Sequence, residues 1–173
     1  MNCPDCGHDN IPGVDTCEEC EQPLVEFDPS GNELEKSISR HAIEVLSPKS
    51  PVTVESSISL RKAVARMVER NIGCLLVVDN DVLVGIVTER DVLNHMASSA
   101  ANLDALVFDV MTQSPTTITS QDSIAYTLHA MDLGGYRHMP IVDDTGRPHG
   151  IISVRDILRF LCVRFAETRS PAN

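Results

Sequence analysis

The chain repeats itself. At an offset of 64 residues, Ser50-Pro51 is matched by Ser114-Pro115, Thr53 by Thr117, Ser59 by Ser123, Met67 by Met131 and Val78-Asp79 by Val142-Asp143. One inserted residue moves the offset to 65 and the register goes on: Gly85-Ile86 with Gly150-Ile151, Thr88 with Ser153, Arg90-Asp91 with Arg155-Asp156, Leu93 with Leu158. Solenoid periods are shorter than this, so the sequence predicts one domain duplicated within a chain of 173 residues rather than an array.

Both copies carry the same pattern of elements. A short strand comes first, at 51–54 (PVTV) or 116–119 (TTIT). An amphipathic helix follows, at 57–70 with Leu60, Val64, Met67 and Val68 on one face, or at 121–133 with Ile124, Leu128 and Met131. Gly134-Gly135 marks the second helix's end. Next come a buried strand (CLLVVD or MPIVDD), a turn at Asn80-Asp81 or Asp144-Thr145-Gly146, and a second strand (LVGIVT or HGIIS). The last helix opens at Thr88 or Ser153. The order is β-α-β-β-α, twice.

Ahead of the repeat lies a different kind of sequence. Residues 1–35 hold 10 acidic residues and no Lys or Arg, so most of the chain's net charge of −11 sits there. Phosphate backbones are bound by Lys and Arg, and the chain has no Trp, two Tyr and four Phe, too few for a base-stacking platform. Both facts argue against nucleic acid and leave a solvated acidic surface or a protein partner. No apolar run approaches the roughly 18–20 residues of a membrane span. MNCPDCGHDN lacks the basic and apolar regions of a signal peptide, which points to the cytoplasm.

Within that segment, Cys3-Pro-Asp-Cys6 and Cys17-Glu-Glu-Cys20 are separated by ten residues. Two CxxC turns supply four thiolates to a tetrahedral site, and about 25 residues cannot fold on a hydrophobic core alone, so a metal is the expected staple. Zinc is favoured, with iron as the alternative. His8 is expected to be exposed, since four cysteines complete the site. Cys74 and Cys162 lie in apolar surroundings and read as buried structural cysteines. His41, His95, His129 and His149 have no partner pattern. Glu26–Asn32 reads as a linker, and Leu34, Ile38 and Ala42, continued by Val45 and Leu46, predict an amphipathic helix from about 33 to 45.

The segment CPDCGHDNIPGVDTCEECEQPL resembles a short zinc ribbon of the CPxCG…CxxC type, except that Glu21 stands where such ribbons carry Gly. The repeat, with its apolar-VxD strand and its G-[IV]-[IV]-[TS]-x-x-D ending, resembles the CBS domain, and two in tandem resemble a Bateman module. The resemblance implies an α+β fold with two CBS domains packed as a pseudo-two-fold pair behind the small ribbon. The divisions are then 1–25 for the ribbon, 26–45 for linker and helix, 46–100 and 101–167 for the two domains, and 168–173 for a tail. It also implies a regulatory protein, not an enzyme, and a dimer of modules. Its ligand is an adenosine derivative such as AMP, ADP, ATP or S-adenosylmethionine.

Thr88 and Ser153 read as helix N-caps with Asp91 and Asp156 at the third helical position, close to a capping box. The same geometry offers free amides to a phosphate and a short carboxylate to ribose hydroxyls. The resemblance assigns Thr88 and Asp91 to one cleft and Ser153 and Asp156 to the other, with Thr53 and Thr117 framing the adenine. Arg137 and His138 precede the second copy's strand where the first has Gly73 and Cys74. Paired guanidinium donors suit a phosphate, so the two clefts are expected to be unequal. No nucleophile, metalloprotease or Walker motif is present. The alternatives are a ligand-free dimerisation scaffold whose ribbon docks a partner, and a rubredoxin-like iron carrier.

Overall fold

The computed structural model describes residues 8–11, 14, 17–20, 38, 41–97 and 102–169. The chain divides into two units, 1–37 and 38–173. In the larger, the elements are β1 (Thr53–Glu55), α1 (Leu60–Arg70), β2 (Cys74–Asp79), β3 (Val82–Thr88), α2 (Glu89–Met96), β4 (Thr112–Gln113), α3 (Ile124–Gly134), β5 (His138–Val142), β6 (Pro148–Ser153) and α4 (Val154–Arg169). No helix among the described residues is long and apolar enough to cross a membrane.

The two copies fold alike. In the first, β1 runs parallel to β2, which pairs antiparallel with β3. In the second, β5 and β6 form the antiparallel pair, and the strand expected at 116–119 contracts to a parallel bridge between Ile118 and Ile141. Both hairpins shift register at matched positions, Val77/Val78 and Ile141/Val142. The inserted residue falls in the turn. Asn80 and Asp81, both at positive φ, close the first hairpin in two residues. The second takes a longer loop, in which Asp143 Oδ1 accepts from the Thr145 and Arg147 amides. Helices α1 and α3 begin three residues later than the apolar spacing predicted, behind Ser59 and Ser123, and end on Asn71 (φ 52°) and Gly135 (φ 65°), both left-handed.

Each copy owns a core, and the cores correspond. Val54, Leu60, Met67, Leu75, Val77 and Val87 fill the first; Ile118, Ile124, Met131, Met139, Ile141 and Ile152 fill the second. One correspondence is crossed. Val107, from the approach to the second copy, is buried in the first core, and Ile43, from the approach to the first, is buried in the second. The backbone bonds are exchanged in the same way. The Ile43 amide donates to Asp122 O and the Val107 amide to Ile58 O; the Ile124 amide donates to His41 O and the Leu60 amide to Ala105 O. Bridges Ala42–Ser123 and Ser59–Leu106 complete the exchange. A further pairing puts β4 on the edge of β3, while Lys49 bridges Ile151.

This exchange corrects the helix predicted over 33–45. Ile38 is helical, but Ala42 sits in a bridge and Ile43–Leu46 form a 3₁₀ turn. The amides that would have continued the helix donate to the second copy instead. The remainder of 33–40 and the linker Glu26–Asn32 lie outside the described residues. A second correction concerns Cys162, which is exposed. It follows the buried Ile157 by five residues, about 140° further round the helix. Arg90 and Arg155 are exposed.

In the smaller unit, Cys17 is buried, Cys20 half-buried and Asn10 buried, with Asn10 Oδ1 accepting from the Glu18 amide. His8 is half-buried rather than exposed, its carbonyl accepting from Asn10 Nδ2. Cys3 and Cys6 lie outside the described residues.

Candidate functional site

Strand β2 is buried on both faces: Leu75 and Val77 point into the first core, Cys74 and Leu76 to the other side with Ile86 and Ile151. On that side a cavity of about 950 Å³ opens. Its first-copy wall includes Val64 and Met67 of α1, the Ile72–Cys74 approach to β2, and Glu89, Val92 and Leu93 of α2. Its second-copy wall includes Arg137 and His138, Ile151–Ser153 of β6, and Asp156 and Arg159 of α4. Lys49, Ser50 and Val52 close it from the segment leading into β1.

The chemistry gathers where β6 passes into α4. Asp156 Oδ2 accepts from the Ser153 amide (3.0 Å) and hydroxyl, and Asp156 Oδ1 lies 3.7 Å from Lys49 Nζ. Burial pushes the Asp156 carboxyl up. The Ser153 bonds and the nearby Lys49 and Arg159 outweigh it and hold the group below the ordinary carboxylate range. It is therefore an anion at neutral pH, with one oxygen engaged by its own helix start and the other turned to a lysine. His138 pairs with Ser153 across the hairpin. Burial lowers its imidazole below the usual value, against the pull of Asp156 and Glu89, so it is neutral at pH 7.

The first copy builds the matching box and closes it with a reciprocal bond. Asp91 Oδ2 accepts from the Thr88 amide (2.8 Å) and hydroxyl (2.7 Å), and Thr88 Oγ1 accepts from the Asp91 amide (3.3 Å). Among the described residues, however, Asp91 has no ion pair. Cys74 holds the place His138 has in the second copy, and burial, then the charge of Glu89, push its thiol up to about 12. At the place of Arg137 the first copy has Gly73. A Cβ there would come within 3.3 Å of Glu89 Oε2.

Of the residues singled out from sequence, the structure brings Arg137, His138, Ser153 and Asp156 to this cavity. Thr53, Thr88, Asp91 and Thr117 are not among its lining residues. Thr53 is a strand residue whose carbonyl accepts from Arg66, and Thr117 precedes the Ile118 bridge. Sequence reading missed Lys49 and Glu89. Glu89 follows Thr88 directly and was within reach of the motif. Lys49 reaches Asp156 only through the exchanged segment, which leaves no local mark.

In the N-terminal segment, burial raises the Cys17 thiol. The amides of Cys20 and Glu19 and the Asn10 side chain outweigh that and bring it down to about 6. The thiolate is the form a metal takes, and Cys20 packs against Cys17. This half of the CxxC pair fits a metal ligand set.

Comparison with known proteins agrees with the fold. A curated protein of Acidianus ambivalens, an uncharacterised 17.7 kDa protein, is 35% identical over 109 residues, covering 62% of this chain and 65% of its own length. A second, from Methanopyrus kandleri, is 34% identical over 96 residues, covering 54% of this chain and 49% of its own length. The chain thus spans between about half and just under two thirds of these relatives. Among solved structures, a CBS-domain protein of Agrobacterium tumefaciens superposes with a TM-score of 0.65 at 29% identity, over 69% of this chain and 98% of its own. The CBS domain pair of protein MJ0100, in complex with 5′-methylthioadenosine and S-adenosyl-L-methionine, gives 0.66 at 26% identity, over 72% and 98%. The CBS domain family model matches twice, at residues 43–98 and 107–163. The duplicated β-α-β-β-α unit is a tandem pair of CBS domains, a Bateman module, and the chain belongs to the CBS domain family.

Proposed function

We propose that this chain is a regulatory protein, not an enzyme, that binds an adenosine-containing ligand in the cavity between its CBS domains and signals the bound state to a protein partner. The observation that carries this reading is Asp156: an ionised, half-buried carboxylate fixed by Ser153 at a helix start, opening onto a cavity of about 950 Å³ with Arg137 and His138 beside it. A short acid in that setting accepts ribose hydroxyls, and the guanidinium and helix-start amides suit a phosphate. The MJ0100 pair, held with two adenosine derivatives, supports the ligand class. Both walls contribute, so a ligand favours the arrangement of the two domains that closes on it, and the output is a shift of population.

The test is thermal melting with AMP, ADP, ATP, NAD and S-adenosylmethionine, with and without Asp156→Ala. A ligand at 100 times its Kd adds about 2.7 kcal/mol. A shift lost in the variant supports the proposal. No shift with any of them favours the scaffold reading, in which the pair serves dimerisation only.

Two further parts belong to the proposal. Cys3, Cys6, Cys17 and Cys20 hold one zinc ion in a ribbon over 1–25, whose acidic surface docks a partner; the packing of Cys20 against the buried Cys17 supports this. Metal analysis of purified protein is expected to give one zinc per chain, and a visible absorption band would mean iron instead. The modules also pair as homodimers, through helices α2 and α4. Leu93 and Leu158, at matched positions of the repeat, are 68% and 50% exposed. Light scattering of wild type against a Leu93→Glu/Leu158→Glu double variant tests it.

A further inference from the structure

Four permanent cations line the cavity, Lys49, Arg137, Arg155 and Arg159, against two carboxylates, Glu89 and Asp156. That surplus stands in a part of the chain that is otherwise near neutral: residues 36–173 hold 14 Lys and Arg against 15 Asp and Glu. It is also one-sided. The three arginines stand on the second-copy wall, and Lys49 joins them because its backbone is pinned there. Its amide donates to Ile151 O (3.3 Å), and the Ile151 amide donates back to Lys49 O (3.0 Å). Glu89 sits on the opposite wall, over Gly73.

Lys49 itself is poised rather than spent. Its side chain is 71% exposed and its Nζ rests 3.7 Å from Asp156 Oδ1, longer than a hydrogen bond. Asp156 Oδ2 is committed to Ser153, so Oδ1 is the oxygen left for a ligand hydroxyl. A ribose seated on Oδ1 puts its 5′ substituent within the reach of an ammonium group on a four-carbon stem. In the repeat, the residue matched to Lys49 is Gln113 and the residue matched to Arg137 is Gly73. The cationic end thus belongs to one of two equivalent halves.

We infer that this cavity selects adenosine ligands bearing a phosphate over those bearing a sulfonium, and that Lys49 is the residue that sets the preference. The inference rests on the adenosine reading of the site and goes beyond it. A 5′-phosphate brings two negative charges to a wall of four cations. S-adenosylmethionine brings a sulfonium, an ammonium and one carboxylate, a net charge of +1, to the same wall, where like charges repel.

The experiment is titration calorimetry of the full-length protein with AMP, adenosine, 5′-methylthioadenosine, S-adenosylmethionine and inorganic pyrophosphate. It is run on wild type, Lys49→Gln and Lys49→Arg. AMP is expected to bind at least tenfold tighter than adenosine or S-adenosylmethionine, with an affinity that falls as salt rises. Lys49→Gln is expected to weaken AMP about fivefold and leave adenosine unchanged, and Lys49→Arg to retain the wild-type ratio. Equal or tighter binding of S-adenosylmethionine, or an AMP-to-adenosine ratio that Lys49→Gln leaves unmoved, overturns the inference while the adenosine reading stands. If no adenosine compound binds, that reading fails. Pyrophosphate binding that is lost in Lys49→Gln then still upholds the anion preference, and no pyrophosphate binding ends both.

Discussion

Where the first CBS domain has Gly73 and Cys74, the second has Arg137 and His138; where the first domain's β3 meets Gln113, the second domain's β6 meets Lys49. The scaffold beneath is the same in both, down to the hairpin bulges and the left-handed residues that end α1 and α3. The boxes Thr88–Asp91 and Ser153–Asp156 share the bonds from the cap residue to the carboxylate, yet only the second turns into the cavity. The box is therefore primarily a helix start. What distinguishes the second is the charge brought alongside, and on the proposed reading that charge would make a ligand site of it.

The largest effects should come from removing what the two halves share. Ile43 and Val107 are fully buried in each other's half. Ile43→Ala is expected to cost about 2–5 kcal/mol and Val107→Ala somewhat less. Since each residue stabilises the domain it does not belong to, both variants should lower one common unfolding transition. Two separate transitions in a calorimetric scan would show the halves to be independent.

Asp91→Ala and Asp156→Ala sharpen the comparison of the boxes. Each removes a capping interaction worth about 1 kcal/mol, so their melting points without ligand should fall together. With saturating ligand they should part: the stabilisation survives in Asp91→Ala and vanishes in Asp156→Ala. Equal ligand responses would mean that the cavity does not distinguish the boxes.

A smaller effect separates His138 from its counterpart Cys74. Burial depresses the His138 pKa in the folded state, so the unfolded chain takes up its proton first as pH falls. The stability tied to neutral His138 is complete above the unfolded value near 6.5 and is lost as pH drops through the lower folded value. The Cys74 thiol, pushed up to about 12, does not titrate there. His138→Cys, which makes the two halves alike, should flatten the melting temperature against pH just below 6.5. An unchanged slope would mean that His138 does not set the acid sensitivity in that range; Asp156, held below the ordinary carboxylate range, contributes only at lower pH.

The smallest effect is expected from Gly73→Arg, which gives the first half the second's cation. The new Cβ meets only the far end of the Glu89 side chain, which can swing away or pair with the guanidinium. Stability should change by less than about 1 kcal/mol, read from urea unfolding. A large loss would mean that the Glu89 carboxylate is locked in place.

The parts of this fold legible in the sequence are the repeat, carried by a constant offset of 64–65 residues, and what is written locally. The apolar-VxD strands and the Thr/Ser–Asp boxes each lie within a few residues, and hairpin or capping chemistry explains each. Lys49 was not legible, because its partner strand lies about 100 residues away and antiparallel bridging by a single residue has no composition of its own. The helix drawn to residue 45 failed for the same reason. Ile38, Ala42 and Leu46 do fall at helical spacing, but the amides of Ile43 and Glu44 find Asp122 and Ser120 instead of the preceding turn. Thr117, expected in a strand framing adenine, flanks one that keeps a single bridge.

The crossed burial of Ile43 and Val107 also bears on how this chain could be cut. A single copy excised with its own leading segment would carry one arm whose binding place is on another copy, and one vacant place for an arm it lacks. Two such pieces can satisfy each other by trading arms, as domain-swapped dimers do. The intact chain is that trade made permanent by a covalent link, so its natural unit of folding, and of truncation, is the pair.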